Sequence, residues 1–274
     1  LHNASTGELL LTQFNMTGEA ELPLVADWLK SPVLNHLSGN IPYKATLNLP
    51  KSKSTSPDIS VQSTLKGVTV ELPKPFYKEQ NTERDLYIYT TLGSEKGEEE
   101  TWDSRLFSLR YGDVVDLVSE LGSAGLKKAD VVFGGVGRGK ATLPEANGYR
   151  IGGFLSEFNV EAWTAIFNMS SDSKVMEAHL PIVGEGEIES KNKSILTESI
   201  RAPMLIEGPL LDGNLKIDKV LVFGQSFSET YFHFKPSEGA WNIDVNGQGV
   251  DSKFSLPKYL SFIHNLRLPP KRHV

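Results

Sequence analysis

The sequence contains no cysteine, no long apolar run and no excess of positive charge. The absence of cysteine excludes disulfides, thiolate zinc sites and cysteine nucleophiles together. No stretch approaches the roughly 18 apolar residues that a membrane-spanning helix needs. Lys plus Arg number 28 against 34 Asp plus Glu, a net charge of -6. No global positive field therefore attracts a polyanion, and we expect no nucleic-acid partner.

Motifs for catalysis are also scarce. The segment GGVGRGK, Gly134 to Lys140, has the spacing of a phosphate-binding P-loop. Ala141 stands where a Ser or Thr would hold magnesium, and Pro144 follows where a helix is required. This favours a glycine-rich strand pair, with nucleotide binding as the alternative. No two histidines lie four residues apart and no G-x-S-x-G motif occurs. We therefore predict that the protein is not an enzyme and has no catalytic residues, metal ligands or cofactors.

What the sequence does contain is a long series of alternating apolar and polar residues. From Phe14 to Leu22 the even positions are apolar or small, while positions 15, 17, 19 and 21 are polar. A period of two is typical of a half-buried strand. The pattern changes phase at Gly67, which predicts a bulge or a turn. Other predicted strands lie at 59–65, 68–72, 86–92, 104–111, 128–133, 138–143, 149–158, 204–210, 214–223, 229–234 and 241–247.

Turn signals indicate how these strands are joined. Asn147-Gly148 lies between two alternating runs and predicts a β-hairpin, because both residues of a type I′ turn need positive φ. Residues Val114 to Leu121 fit a helix as well as a strand, and we interpret them as a strand. The pattern as a whole predicts an all-β fold, an antiparallel meander with a few short helices.

Two short helices are predicted. The first starts at Pro23, where a helix tolerates proline, and runs to Leu29. The second follows a predicted Asn159 cap and places Val160, Trp163 and Ile166 on one face. Such short helices are suited to closing an open end of a sheet.

Several segments, in order along the chain, resemble the YhdP branch of the AsmA-like proteins, which are envelope proteins of Gram-negative bacteria. The most distinctive is VQSTLKGVTVELPKPFYK, residues 61–78, which is similar to the pattern S-x-L-x-G-x-x-x-x-L-P-x-P-x-x-K. Here Phe76-Tyr77 replaces a Leu-Gly pair. Residues 36–50, 147–163 and 213–247 resemble later and earlier units of the family, with Asn159 in place of an acidic residue. The resemblance covers about residues 14 to 257.

The resemblance implies an elongated, twisted antiparallel sheet curved into a groove, as in bridge-like lipid-transfer proteins. It implies a periplasmic segment of a longer protein that an N-terminal helix outside this chain anchors in the inner membrane. The implied activity is to carry phospholipids between the inner and outer membranes, with other envelope proteins as further partners and no cofactor. We expect residues 1–274 to form a single groove segment with sub-repeats at about 1–145 and 146–257, and 258–274 to be a tail or linker.

The alternation of apolar and polar residues predicts which side chains would line such a groove. A continuous apolar stripe binds acyl chains without directional contacts. The predicted lipid-binding residues are Phe14, Met16, Val61, Leu65, Leu86, Ile88, Leu106, Leu221, Phe223, Ile243 and Val245. Alternation does not distinguish an open groove from a closed core, so packing within a core is the alternative for each residue. A structural or scaffolding β module that mediates protein–protein contacts in the cell envelope is the alternative function.

Overall fold

The computed structural model describes residues 11–23, 32–52, 55–92, 105–122, 125–135, 139–172, 211–237 and 240–257. These residues form one open, curved sheet with the strand order β1-β2-β3-β5-β6-β7-β8-β9-β11-β12-β13-β14, while β4 pairs with β2 and β10 pairs with β11. The strands are β1 (Leu11–Glu21), β2 (Leu37–Pro50), β3 (Asp58–Ser63), β4 (Val68–Val70), β5 (Leu86–Thr91), β6 (Arg105–Tyr111), β7 (Val115–Gly122), β8 (Gly125–Phe133), β9 (Gly148–Leu155), β10 (Phe158–Asn159), β11 (Gly213–Val222), β12 (Gln225–Pro236), β13 (Ala240–Gln248) and β14 (Val250–Pro257).

The first part of the sheet, β1 to β8, is antiparallel along the main path, as the alternation predicts. The ambiguous segment is the strand β7, so the strand interpretation is confirmed. Gly67 lies in a turn with a φ of 87°, which confirms the predicted change of phase. A side chain at Gly39 would clash with this turn, because an added Cβ would lie 2.2 Å from the Gly67 carbonyl oxygen.

The hairpin predicted at Asn147-Gly148 is wrong. Strands β8 and β9 are parallel, with Lys128 beside Gly148, and β9 and β11 are parallel as well, so the sheet is mixed. Residues 139–147 form no strand and instead return along the polar side of the sheet. Asp130 accepts a 2.8 Å hydrogen bond from the Thr142 N–H, and Asp116 accepts one of 3.3 Å from the Ala141 N–H. These carboxylates satisfy backbone donors that a hairpin would have paired with β9.

The last part of the sheet, β11 to β14, is antiparallel again. Strand β14 was not predicted from the sequence. The register of β12 against β13 shifts between Ser228 and Tyr231, where Glu229 has a φ of 49°. The predicted strand at 204–210 lies outside the described residues.

One helix, α1 (Val160–Asp172), follows β10. The Asn159 side chain accepts a 2.9 Å hydrogen bond from the Ala162 N–H, which confirms the predicted cap. The Ile166 side chain is buried. A 3-10 helix, Pro32–His36, precedes β2. The predicted helix at Pro23 to Leu29 lies outside the described residues beyond its first position.

Candidate functional site

The strand register brings apolar side chains from eight strands into one continuous row. Paired residues of neighbouring strands point to the same face of a sheet. The pairings from β1 to β9 connect one apolar residue on each main-path strand to the next. We call this set the apolar row: Met16, Ala45, Val61, Ile88, Leu109, Leu117, Val131 and Ile151. Its seven steps at about 4.8 Å per strand give a length of about 34 Å.

The row continues into the second part of the sheet past a glycine. Gly213 lies against Ile151 so closely that a Cβ there would be 2.3 Å from the Ile151 carbonyl oxygen. Beyond Gly213 the register leads to Phe234, Ile243 and Phe254. The face that carries these residues is the apolar face of the sheet. The opposite, polar face carries a parallel row of Thr17, Lys44, Gln62, Tyr87, Arg110 and Asp116.

At one end of the strands, the apolar face is closed by the segment between β3 and β5. A cluster of buried side chains forms there, namely Leu22, Leu65, Val68, Val70, Tyr111 and Val114. Leu65 is 2% exposed and has a φ of 51°, and its N–H donates a 2.9 Å hydrogen bond to the Ser63 Oγ. This cluster is a closed core, in which no surface is left for a ligand.

Two cations fix the backbone of this closing segment. The buried Lys78 Nζ donates hydrogen bonds of 2.7 Å to the Val68 carbonyl and 2.8 Å to the Glu79 carbonyl. Burial lowers the pKa of Lys78, and the nearby charge of Arg84 lowers it further. The Arg84 guanidinium lies 4.8 Å from the centroid of the Tyr111 ring, and the Tyr111 hydroxyl donates a 2.8 Å hydrogen bond to the Phe76 carbonyl. Burial raises the pKa of Tyr111.

Phe76 joins this cluster to a second one. Its ring centroid lies 6.5 Å from that of Tyr111, 6.3 Å from that of Phe133 and 5.3 Å from that of Trp163. The second cluster contains Leu155, Leu215, Ile217 and Val220. The aromatic ring therefore connects the core of the closing segment to the core at the parallel junction.

The remainder of the apolar face is not covered by the described residues. Of the apolar row, only Ala45 is buried, although seven of its members lie on interior strands of the sheet. Near the edges of the sheet exposure is larger, at 48% for Phe14, 44% for Met16 and 52% for Phe254. In a two-layer sandwich, the equivalent side chains would interdigitate with a second sheet. Among the described residues the apolar surface instead continues uncovered over many strands, and a surface of this kind can bind a ligand with apolar chains.

Seven of the predicted lipid-binding residues lie together on the apolar face. By register these are Phe14, Met16, Val61, Leu86, Ile88, Ile243 and Val245. Val245 is 5% exposed and Leu86 packs against the closed core, so the most accessible of the seven are Phe14 and Met16. Their role in lipid binding stays a prediction.

The other four predicted residues lie elsewhere, and their placement in the groove is corrected. Leu65 belongs to the closed core. Leu106 pairs with Glu120 on the polar face. Val220 is buried in the second cluster with Leu215 and Ile217, so the alternation changes phase between Ile217 and Val220 and turns Leu221 to the opposite face. Phe223 lies at the tip of the β11–β12 hairpin with a φ of 50° and is 88% exposed.

Several apolar-face residues were missed by the sequence reasoning. They are Leu47, Ile59, Phe107, Leu109, Leu117, Val131, Phe133, Ile151, Phe232, Phe234 and Phe254. The apolar side of β6 could have been predicted from the sequence. Phe107, Leu109 and Tyr111 form an apolar series with a period of two, whereas serines lie two residues before and after Leu106.

The described residues offer little that would support another kind of site. After Lys140, which is exposed, no helix N-terminus follows as a P-loop would require. No group of three or more His, Asp or Glu side chains in the described ranges is arranged to hold a metal ion. The helices in these ranges are too short or too polar to cross a lipid bilayer.

The fold and its apolar face define a class of protein, an open β-sheet with an extended apolar surface on one side. A comparison with protein families identifies the family: the model described as "YhdP protein" matches residues 2–270. The chain belongs to the YhdP family of AsmA-like envelope proteins. Comparisons with curated proteins and with solved structures gave no match.

Proposed function

We propose that this chain is a periplasmic part of an inner-membrane-anchored protein, and that its apolar face carries phospholipids between the inner and outer membranes. The apolar row is the observation that carries this proposal. It crosses eight strands without a charged side chain, and seven of its eight members stay partly accessible. Membership of the YhdP family supports the location in the envelope.

The energetics suit movement along the row. Burial of a methylene group contributes about 0.8 kcal/mol and requires no directional contact. Successive strands present similar aliphatic side chains at a spacing of about 4.8 Å, so a hydrocarbon chain finds similar surroundings after each step. The free energy of the bound chain therefore changes little with position, which favours sliding over storage at one site.

Site-specific photocrosslinking tests this proposal. A photoreactive residue at Val61, on the apolar face of β3, should form adducts with phospholipid in cells. The matched control is Ser60, the preceding residue on the same strand, which pairs with Tyr89 on the polar face. Equal phospholipid labelling at both positions, or none at Val61, would contradict the proposal.

A scaffolding function is favoured by one observation, the two edges of the sheet, which pair with no further strand among the described residues. Strands β1 and β14 end the strand order, and each carries an exposed apolar side chain. Exposed strand edges can pair with strands of another protein. This alternative predicts protein adducts at Met16 and Phe254 and no phospholipid adduct at Val61, so the same crosslinking series separates the two functions.

A further inference from the structure

The polar face of the sheet contains a cavity that lipid transport does not use. It has a volume of about 1020 Å³ and lies over β1, β2, β3, β5 and β6. This volume is at the upper end of the range for small-molecule sites. The cavity is lined by most of the polar row together with Glu19 and Asp85 at its closed-end side. Because these side chains point away from the apolar face, a ligand here would not compete with lipid for surface.

The side chains around the cavity are not engaged with one another. Elsewhere on the polar face, cross-strand partners bond directly, as in the 3.0 Å hydrogen bond from Gln13 to Asn48 and the 2.7 Å ion pair of Arg150 with Asp130. Within the part of the chain that the structure describes, Lys44, Gln62 and Tyr87 make no side-chain hydrogen bond or ion pair. Their donors and acceptors are thus available to a ligand.

Charge and chemistry narrow the class of ligand. Two acids, Glu19 and Asp85, and two bases, Lys44 and Arg110, line the cavity, and Arg110 also forms a 3.9 Å ion pair with Asp116 on the neighbouring strand. A polyanion would meet the two carboxylates and a polycation the two bases, while an acyl chain would leave this ring of polar groups without hydrogen bonds. A neutral molecule with many hydroxyl or amide groups can bond with both kinds of group.

An aromatic side chain and a regular spacing of polar groups further define the ligand. Tyr87 is half-buried on β5 and lines the cavity, where it presents an apolar ring with a polar edge, a surface suited to stacking against a sugar ring. The polar row offers a new hydrogen-bonding side chain on every strand, at a spacing of about 4.8 Å. Each ring of an extended polysaccharide advances by a similar distance, so consecutive rings would meet consecutive strands.

We propose that this cavity binds a neutral, extended oligosaccharide, with Tyr87 as the stacking platform and Lys44, Gln62 and Arg110 as hydrogen-bonding groups. The site holds the protein to a glycan by its polar face while the apolar face remains free. It is independent of the lipid-carrying function proposed above.

Calorimetric titration of the 274-residue chain with chitohexaose, an uncharged oligosaccharide, tests the proposal. Saturable binding is expected, and Tyr87→Ser should weaken it by about tenfold through loss of stacking. The matched control is Tyr89→Ser, which changes the same residue type on the same strand and face but outside the cavity. Tyr89→Ser should leave the affinity unchanged.

Three results would overturn the proposal. The first is that chitohexaose does not bind at millimolar concentration. The second is that Tyr87→Ser and Tyr89→Ser weaken chitohexaose binding equally. The third is that glycerophosphoethanolamine or a sulfated hexasaccharide binds instead of chitohexaose. Crosslinking of phospholipid at Val61 in the Tyr87→Ser variant keeps the two proposals separate. Unchanged lipid adducts are expected there, whether or not the sugar binds.

Discussion

The closed end of the sheet and the open part of its apolar face use the same kinds of side chain for different purposes. At the closed end, Leu65, Val68 and Val70 are at most 2% exposed. On the open part, Phe14 and Met16 of strand β1 are 48% and 44% exposed. The first set stabilises the fold by complete burial, whereas the second contributes little to stability and is the surface to which the proposed function assigns lipid binding.

The largest effect is expected from a charge in the closed core. Leu65→Asp should destabilise the chain by more than about 4 kcal/mol, because an unpaired carboxylate would be buried. Urea unfolding followed by far-UV circular dichroism would measure it. If Leu65 lined a lipid groove, as the sequence predicts, Leu65→Asp would leave the fold intact, so this variant distinguishes the predicted position from the observed one. A stable Leu65→Asp variant would contradict the closed core.

A second prediction concerns the link between the two clusters. Phe76→Ala should cost about 3 kcal/mol, because the ring contacts both clusters and its loss leaves a cavity between them. Differential scanning calorimetry would show a lower Tm. Phe76→Leu retains most of the volume and should lose less than half as much stability. Equal losses for both variants would indicate that ring volume is not the cause.

The sequence predicts the positions of individual strands well. It predicts poorly how the strands pair and which side chains are buried. Alternation found the strands because a half-buried strand repeats every two residues. It could not find the parallel junction, since the Asp116 and Asp130 side chains bind the Ala141 and Thr142 N–H groups through tertiary contacts that no local signal reveals. Its choice of Leu106 over Phe107 was a phase error in a strand with apolar residues on both faces. The prediction that Leu65 lines the groove was wrong because β3 ends at Ser63, whereas the alternation in the sequence continues to Leu65.

A third, smaller effect concerns pH and the closed end. Burial lowers the folded-state pKa of Lys78 below the value near 10.5 of an unperturbed lysine. Between these two pKa values the unfolded chain binds more protons, so stability should rise with pH through this window. At lower pH both states are protonated, and the cost of burying the charge is fully present.

Lys78→Met provides the control for this pH dependence. The urea midpoint of the wild-type chain should rise, relative to that of Lys78→Met, as the pH increases toward 10.5, the pKa of an unperturbed lysine. The difference between the two chains cancels the titration of other lysines and of the tyrosines. Parallel pH profiles would contradict a buried lysine at this position.

The smallest effect on stability is expected on the open part of the apolar face. Met16→Thr should change the free energy of unfolding by about 0.5 kcal/mol or less, because the side chain is 44% exposed and Thr favours strands. The same variant should bind less phospholipid, measured by native mass spectrometry after loading. Gln13→Thr, on the polar face of the same strand, is the matched control. It should change the free energy of unfolding by no more than Met16→Thr does, and it should leave phospholipid binding unchanged. A large loss of stability in Met16→Thr would show that this part of the face is covered after all.

The parallel junction of β8, β9 and β11 also has a consequence for the order of folding. Strands β5 to β8 and β11 to β14 pair with neighbours that are close in sequence, so their contacts form after short loop closures. Parallel pairs require long connections between their strands, and the β9–β11 pair joins residues some sixty positions apart. We therefore expect the two antiparallel parts of the sheet to form early in folding. The pairing of these parts at β9 should be slower and should limit the rate of folding. Mutations at this junction, such as Gly153→Val, should then slow refolding more than they accelerate unfolding.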